Sequence, residues 1–316
     1  MFIAACSRPP RPEVVLYTSC DDYLLREVAP AFTAKTGIAV RIVGDTESTK
    51  TTGLVQRLLA ERDRPRADVW WSNEPFATIR LDAAGLLAPA DVPGAKDRPA
   101  WLIGPEGRWH GFALRARAIV YNTKRVEAKD APRDETALTL PTWRGRIGMA
   151  RPQFGTTRGL VAYLHAQLDR EAFDAWARGM KANDVRLFDG NSAVVRAVAE
   201  GVIDVGLTDT DDVHAGLREG WPVAMVMGER SLLIPNTAAI VRGGPNPKNA
   251  AALIEFLLSE EVERMLAKSD SRNMPVRASL AAEFAANALL GQPPDLEAIA
   301  TRADEAMAAW EAIAGK

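Results

Sequence analysis

The segment Thr208-Asp-Thr-Asp-Asp212 packs two hydroxyls and three carboxylates into five consecutive positions. It ends the apolar run Val202-Ile-Asp-Val-Gly-Leu207 and opens a short helical pattern that closes at Gly220. A helix start needs one Thr or Asp as its cap. Five polar side chains at a strand end point to a small-ligand site, because α/β folds bind ligands where strands stop and helix amino termini begin. Similar junctions recur along the chain: Ser19 and Asp21 in Thr18-Ser-Cys-Asp-Asp22; Asp45, Thr46, Glu47, Thr49 and Thr52 within 44–53; Asn73 and Glu74 after Trp71; Gly155-Thr-Thr157; and Asn191-Ser192.

Two chemistries suit these junctions. Hydroxyls and helix-start N–H groups suit an oxyanion, with Lys50, Arg115, Arg117, Arg151 and Arg158 as sources of positive charge. The carboxylates Asp21, Asp45, Glu47, Glu74, Asp209 and Asp211 suit a hard cation or an amine. A mixed set suits a zwitterion. For a metal, the candidate ligands are Asp21, Glu74, Asp209 and Asp211. No Gly-x-Ser-x-Gly, Gly-x-Gly-x-x-Gly or Gly-x-x-x-x-Gly-Lys-Ser/Thr occurs, so neither a serine nucleophile nor a nucleotide is indicated. His110, His165 and His214 are scattered, and His214 reads as a surface residue. These absences argue for a binder and against an enzyme. A net charge of -2 makes no electrostatic case for nucleic acid.

The elements that must position these side chains alternate. Strand patterns at 14–17, 38–43 and 67–71 are each followed by an amphipathic helix, and a second alternating block runs from 147 to 227. Alternation of this kind predicts α/β lobes with mainly parallel sheets, flanked by helices, whose polar strand ends share one edge. A long strand candidate, Phe112–Tyr121, lies between the blocks, and Ser231–Val241, broken or split at Pro235, follows them. Two lobes with a ligand cleft between them are the expectation. The lobes are expected at 13–112 plus about 236–277, and at about 113–235. The tail from Leu280 reads as helical, and 278–316 is left without a lobe. Near the amino end, Ile3-Ala-Ala-Cys6 has the form of a lipobox, so Cys6 is a candidate for acylation, with 1–12 as its remnant and tether.

Several stretches together resemble one family. They are Val14-Val-Leu-Tyr-Thr-Ser19, Phe32 with Thr36-Gly-Ile38, Ala67-Asp-Val-Trp-Trp-Ser-Asn-Glu74, Gly85-Leu-Leu-Ala-Pro89, Trp143-Arg-Gly-Arg146, Gly155-Thr-Thr157, Pro235-Asn-Thr237 and Leu257-Leu-Ser-Glu-Glu-Val-Glu263. Over roughly 13–277 the chain resembles the ferric-iron-type solute-binding proteins of bacterial ABC importers. The resemblance implies a type II periplasmic-binding-protein fold and a monomer in the periplasm, with a lipid anchor if Cys6 is acylated. It also implies a permease partner and no cofactor beyond a transported ion such as iron(III). The iron binders carry adjacent tyrosines after the strand that here ends at Leu207; this chain has Thr208-Asp-Thr-Asp211 instead. Their His or Glu near the first strand end falls near Asp21, and their second-site Glu near Asn73 or Glu74. Tyr17 and Tyr23 do not match the missing pair. Phosphonates, sugar phosphates and other small oxyanions are the alternative ligands in this fold, and a sensory module or an enzyme the remote ones.

Overall fold

The computed structural model describes residues 11–45, 51–95, 97–153 and 155–315. The strands are β1 (Glu13–Thr18), β2 (Ala39–Gly44), β3 (Val69–Ser72), β4 (Leu87–Ala88), β5 (His110–Asn122), β6 (Ile147–Ala150), β7 (Arg186–Phe188), β8 (Val205–Asp209), β9 (Val223–Val226) and β10 (Leu233–Val241). The helices are α1 (Asp22–Thr36), α2 (Thr52–Ala60), α3 (Pro75–Ala83), α4 (Gly155–Gln167), α5 (Arg170–Ala182), α6 (Asn191–Ala199), α7 (Thr210–Arg218), α8 (Pro247–Leu257), α9 (Glu260–Lys268), α10 (Ala278–Ala281) and α11 (Leu296–Ala314).

Hydrogen bonding runs in the order β2-β1-β3-β10-β5-β8-β6-β7, with β4 on β10 and β9 on β5. The two ends of this path are parallel: β1 with β2 and β3, and β6 with β7 and β8. The middle is antiparallel. Successive β1 residues point to opposite faces. Val14 and Leu16 therefore pack on one side with Phe32 and Leu253, while Val15 and Tyr17 pack on the other with Leu54 and Leu81. Both faces are covered, which is why the strand reads as an unbroken apolar run. β5 does the same beyond the crossing, with Ile119 in one core and Val120 in another.

The centre of the molecule is the pair of crossing strands. The first half of β5 pairs with β10, and its second half with β8 and β9. β10 passes through Pro235 as one strand, and its register shifts between Pro235 and Asn236. Opposite lies Ala113 in the left-handed region at φ 49°. Asn236 fills the ladder bonds that the bulge leaves open. Its Nδ2 donates to Ala113 O at 2.9 Å and to Asn273 Oδ1 at 3.1 Å, and its Oδ1 accepts from Trp71 Nε1 at 3.2 Å.

Two expectations change. The strand read from Val202 begins only at Val205, because Gly201 turns the chain at φ 72° and leaves Val202 exposed. The tail is not one helical run: α10 stops at Ala281, and Pro293-Pro294 defers the long helix until Leu296. That helix, α11, packs on α4 and α5 and also touches α3. Its Trp310 ring lies 5.1 Å from that of Trp176, centroid to centroid.

Candidate functional site

The amino ends of α1, α2, α4, α6 and α7 converge on one cavity of about 80 Å3. Asp21, Thr51, Asn73, Arg115, Arg151, Gly155, Thr156, Thr157, Asp189, Gly190, Asn191, Ser192, Asp209, Asp211 and Asp212 line it. Its size matches an ion with a small companion, and lies below the roughly 300–1,000 Å3 usual for organic ligands.

Its polar scaffold is buried and charged. Arg117, fully buried on β5, donates from Nη1 to Asp209 Oδ1 at 2.6 Å, to Thr156 Oγ1 at 3.0 Å and to Asn191 Oδ1 at 3.3 Å. The other Asp209 oxygen accepts from Thr156 Oγ1 at 2.7 Å and from Asn191 Nδ2 at 3.0 Å. Asp209 is the cap position of α7, yet its side chain makes no cap bond to that helix. Gly190 holds the cap position of α6, which leaves the Asn191 amide for this network. Arg115 donates from Nη1 to Asp211 Oδ2 at 2.5 Å and from Nη2 to Asn73 O at 2.7 Å. It thereby ties α7 to the end of β3 across the cleft.

The carboxylates of Asp209, Asp211 and Asp212 present oxygens within 4.8 Å of one another. Asp211 Oδ1 finds no hydrogen-bond partner among the described residues. Burial raises the Asp211 pKa; Arg115 opposes this, and the charges of Asp209 and Asp21 raise it further. Arg115 and Arg117 pair with Asp211 and Asp209, and Asp212 adds a third carboxylate to the cluster. Arg151 and Asp189, 3.1 Å apart, cancel each other. The donor set therefore fits a multivalent cation. Meanwhile the cap residues of α2 and α6 make no side-chain cap bond, though Asp45 bonds Leu54 N in the first turn of α2; α4 and α6 carry no acidic residue in their first turns, and Thr51 Oγ1 is buried without a partner among the described residues. These features fit an oxyanion.

Ser19, Asp45, Thr52, Glu74 and Thr208 stand outside this lining. Ser19 Oγ donates to Asn73 Oδ1 at 3.2 Å and so orients it. Asp45 accepts from Leu54 N at 3.1 Å, and Thr208 Oγ1 donates to Asn191 O at 3.4 Å. Thr52 and Glu74 line a neighbouring chamber. Glu74 caps α3, accepting from Phe76 N at 2.7 Å, so its oxygens turn from the acidic cluster toward its own helix. Thr46, Glu47, Thr49 and Cys6 lie outside the described residues. The sequence reading missed Thr51, Asp189 and Gly190 as lining residues. Thr51 has φ 72°, a strain with no sequence signature, and Asp189-Gly190 lay one step before a junction already chosen. Tyr17 bonds Glu61 at 3.0 Å, and the Tyr23 phenol is held protonated by burial and by the charges of Asp211 and Asp21.

Residues 68–295 match the family model described as bacterial extracellular solute-binding protein. The chain belongs to this family. The solute-binding protein is 29% identical to iron uptake protein A1 of Synechocystis over 272 residues, 82% of this chain and 74% of that one. It is 29% identical over 260 residues to a putative 2-aminoethylphosphonate-binding periplasmic protein of Salmonella typhi, 79% of this chain and 73% of the other. The solved structure of iron-bound HitA from Pseudomonas aeruginosa superposes with a TM-score of 0.82 at 26% identity, covering 96% of this chain and 99% of that one. The fold is thus the two-lobed binding-protein fold. The protein is extracytoplasmic and binds solute for import through a permease, and it is not an enzyme.

Proposed function

We propose that the cargo of this importer component is a hard cation, ferric iron by resemblance, held with an oxyanion in the cavity between the lobes. The observation that carries this is the acidic cluster Asp209, Asp211 and Asp212, whose oxygens lie within 4.8 Å of one another and whose Asp211 Oδ1 has no partner among the described residues. Asp21 and Asn73 complete the cation's side of the cavity from the first lobe, and Asp211 and Asp212 from the second. The helix starts at Gly155–Thr157 and Asn191-Ser192 take the anion. Carboxylates supply hard oxygen ligands where the iron binders use tyrosines. The first lobe in this reading comprises 13–112 and about 236–277, the second about 113–235, and β5 and β10 are the hinge strands. The protein works as a monomer, and acylated Cys6 anchors it to the membrane.

The loss of the tyrosine pair favours one second reading. A zwitterion such as an aminoalkylphosphonate would set its ammonium on the same carboxylates, in keeping with the similarity to a protein named for such a ligand. A thermal-shift series tests both. Ferric ion with phosphate is expected to raise the melting point, and Asp211→Ala to remove the rise. No shift with ferric ion, with or without phosphate, sinks the cation reading. A shift with 2-aminoethylphosphonate alone selects the zwitterion.

A further inference from the structure

A second chamber lies beside the cargo cavity, walled by α2, α3, the start of α4 and α11. Two apolar cores meet around it. One draws on residues between Val15 and Trp109 with Ala239 and Val241, the other on residues between Ile119 and Ile234. In the proposed division these are the cores of the two lobes. Two side chains cross between them. Phe76 sits in the first turn of α3, and its half-buried ring packs against both cores. The ring lies so close to Gly159 of α4 that a Cβ there would stand 2.1 Å from it. Glu74 fixes the start of that turn by accepting from Phe76 N at 2.7 Å. Leu296 crosses the other way. It opens α11 and is buried in the first core, while Ile299, Met307 and Trp310 of the same helix are buried in the second. Less than one helical turn separates Leu296 from Ile299. Asp295 caps that turn, accepting from Ala298 N at 3.0 Å. The lobes therefore cannot part without drawing Leu296 from its seat or unwinding a capped turn.

We propose that Phe76 and Leu296 form an apolar lock that holds the lobes closed with or without cargo. Both are positioning residues. Neither lines the cargo cavity, and they act by keeping Asn73 and Gly155–Thr157 opposed across it. Burial of apolar surface needs no charge, so it favours closure before any ligand neutralises the acidic cluster. The lock works in the same way whatever the cargo is, and it slows cargo release because the lobes must unlock first.

Small-angle scattering of the cargo-free full chain tests it. Phe76→Ala gives up the burial of a half-buried ring and is expected to lower the ratio of closed to open molecules about tenfold, enlarging the radius of gyration. Leu296→Ala is expected to act in the same direction. Phe76→Leu, which keeps an apolar side chain, is expected to stay near the wild type. Transfer of ferric ion from the phosphate-loaded protein to a chelator is expected to quicken by a similar factor in Phe76→Ala. Circular dichroism verifies the fold of each variant. A wild-type radius of gyration in folded Phe76→Ala and Leu296→Ala overturns the lock. So does a lower melting point without opening, which would make both residues ordinary core. If the wild type binds no ferric ion, the ferric cargo falls alone, and the scattering still decides the lock.

Discussion

Replacing Glu74 by Gln isolates one buried charge. Glu74 is 3% exposed, and burial raises its pKa from 4.5 to about 7. The backbone N–H groups of Ala77 and Phe76 and the charges of Arg115 and Arg158 pull the other way and do not win. The native state therefore holds a proton between pH 4.5 and about 7 that the unfolded chain has released. This proton's contribution is full below pH 4.5 and lost as pH rises through about 7. At 1.36 kcal/mol per pKa unit, the loss is about 3 kcal/mol. Gln keeps an acceptor oxygen for the two amides and cannot ionise. Urea unfolding of both apo proteins from pH 4 to pH 8 gives the difference between their stabilities, in which other titrating groups cancel. That difference is expected to shift by about 3 kcal/mol in favour of the variant as pH rises, or about 5 °C in melting point for 316 residues. Parallel stability curves would refute the reasoning and place an ionised Glu74 comfortably in its cap.

Arg117→Met leaves Asp209 buried without its 2.6 Å partner and is expected to cost about 3–5 kcal/mol, whereas adding Asp209→Leu is expected to recover most of it in a double-mutant cycle. Ferric affinity is expected to fall as pH drops through the Asp211 pKa, which lies above the ordinary aspartate value of 3.8, because protons compete for the same oxygens. Titration from pH 7 to pH 4 checks this, and an affinity flat across the range would remove Asp211 from the cation's shell. A Cβ at Gly159 would stand 2.1 Å from the Phe76 ring, so Gly159→Ala is expected to wedge α4 from α3, weakening ligand binding and enlarging the radius of gyration in solution scattering.

The alternation of apolar strands and amphipathic helices was legible because the central strands β1, β3, β5, β6 and β8 are buried on both faces and helices such as α1 bury one face. Leu24, Leu25, Val28 and Phe32 mark the inner face of α1 in the sequence as they do in the fold. Polar strand ends were legible too, since only a shared edge explains so many of them. Burial partners were not legible. Glu74 and Asn73 are neighbours in sequence, but alternate residues of an extended chain face opposite ways, so Asn73 meets the cavity and Glu74 caps α3. Asp209 looks like a cap, and becomes an ion-pair partner only because β5 places Arg117 beside it, 92 residues away in sequence.

The sequence by itself determined the two-block α/β architecture, the edge on which ligand chemistry gathers, and the absence of the tyrosines that mark the iron binders. Local patterns suffice for these, because hydrophobic periodicity and strand-end composition are properties of neighbouring residues. The tertiary structure decided which carboxylates are spent on arginines and which oxygen of Asp211 has no partner among the described residues. It also placed α11 as a wall of the second chamber. Those outcomes depend on side chains brought together across the crossing strands. Contacts at such separations are set by packing and by the cost of burying charge, which no short window of sequence records.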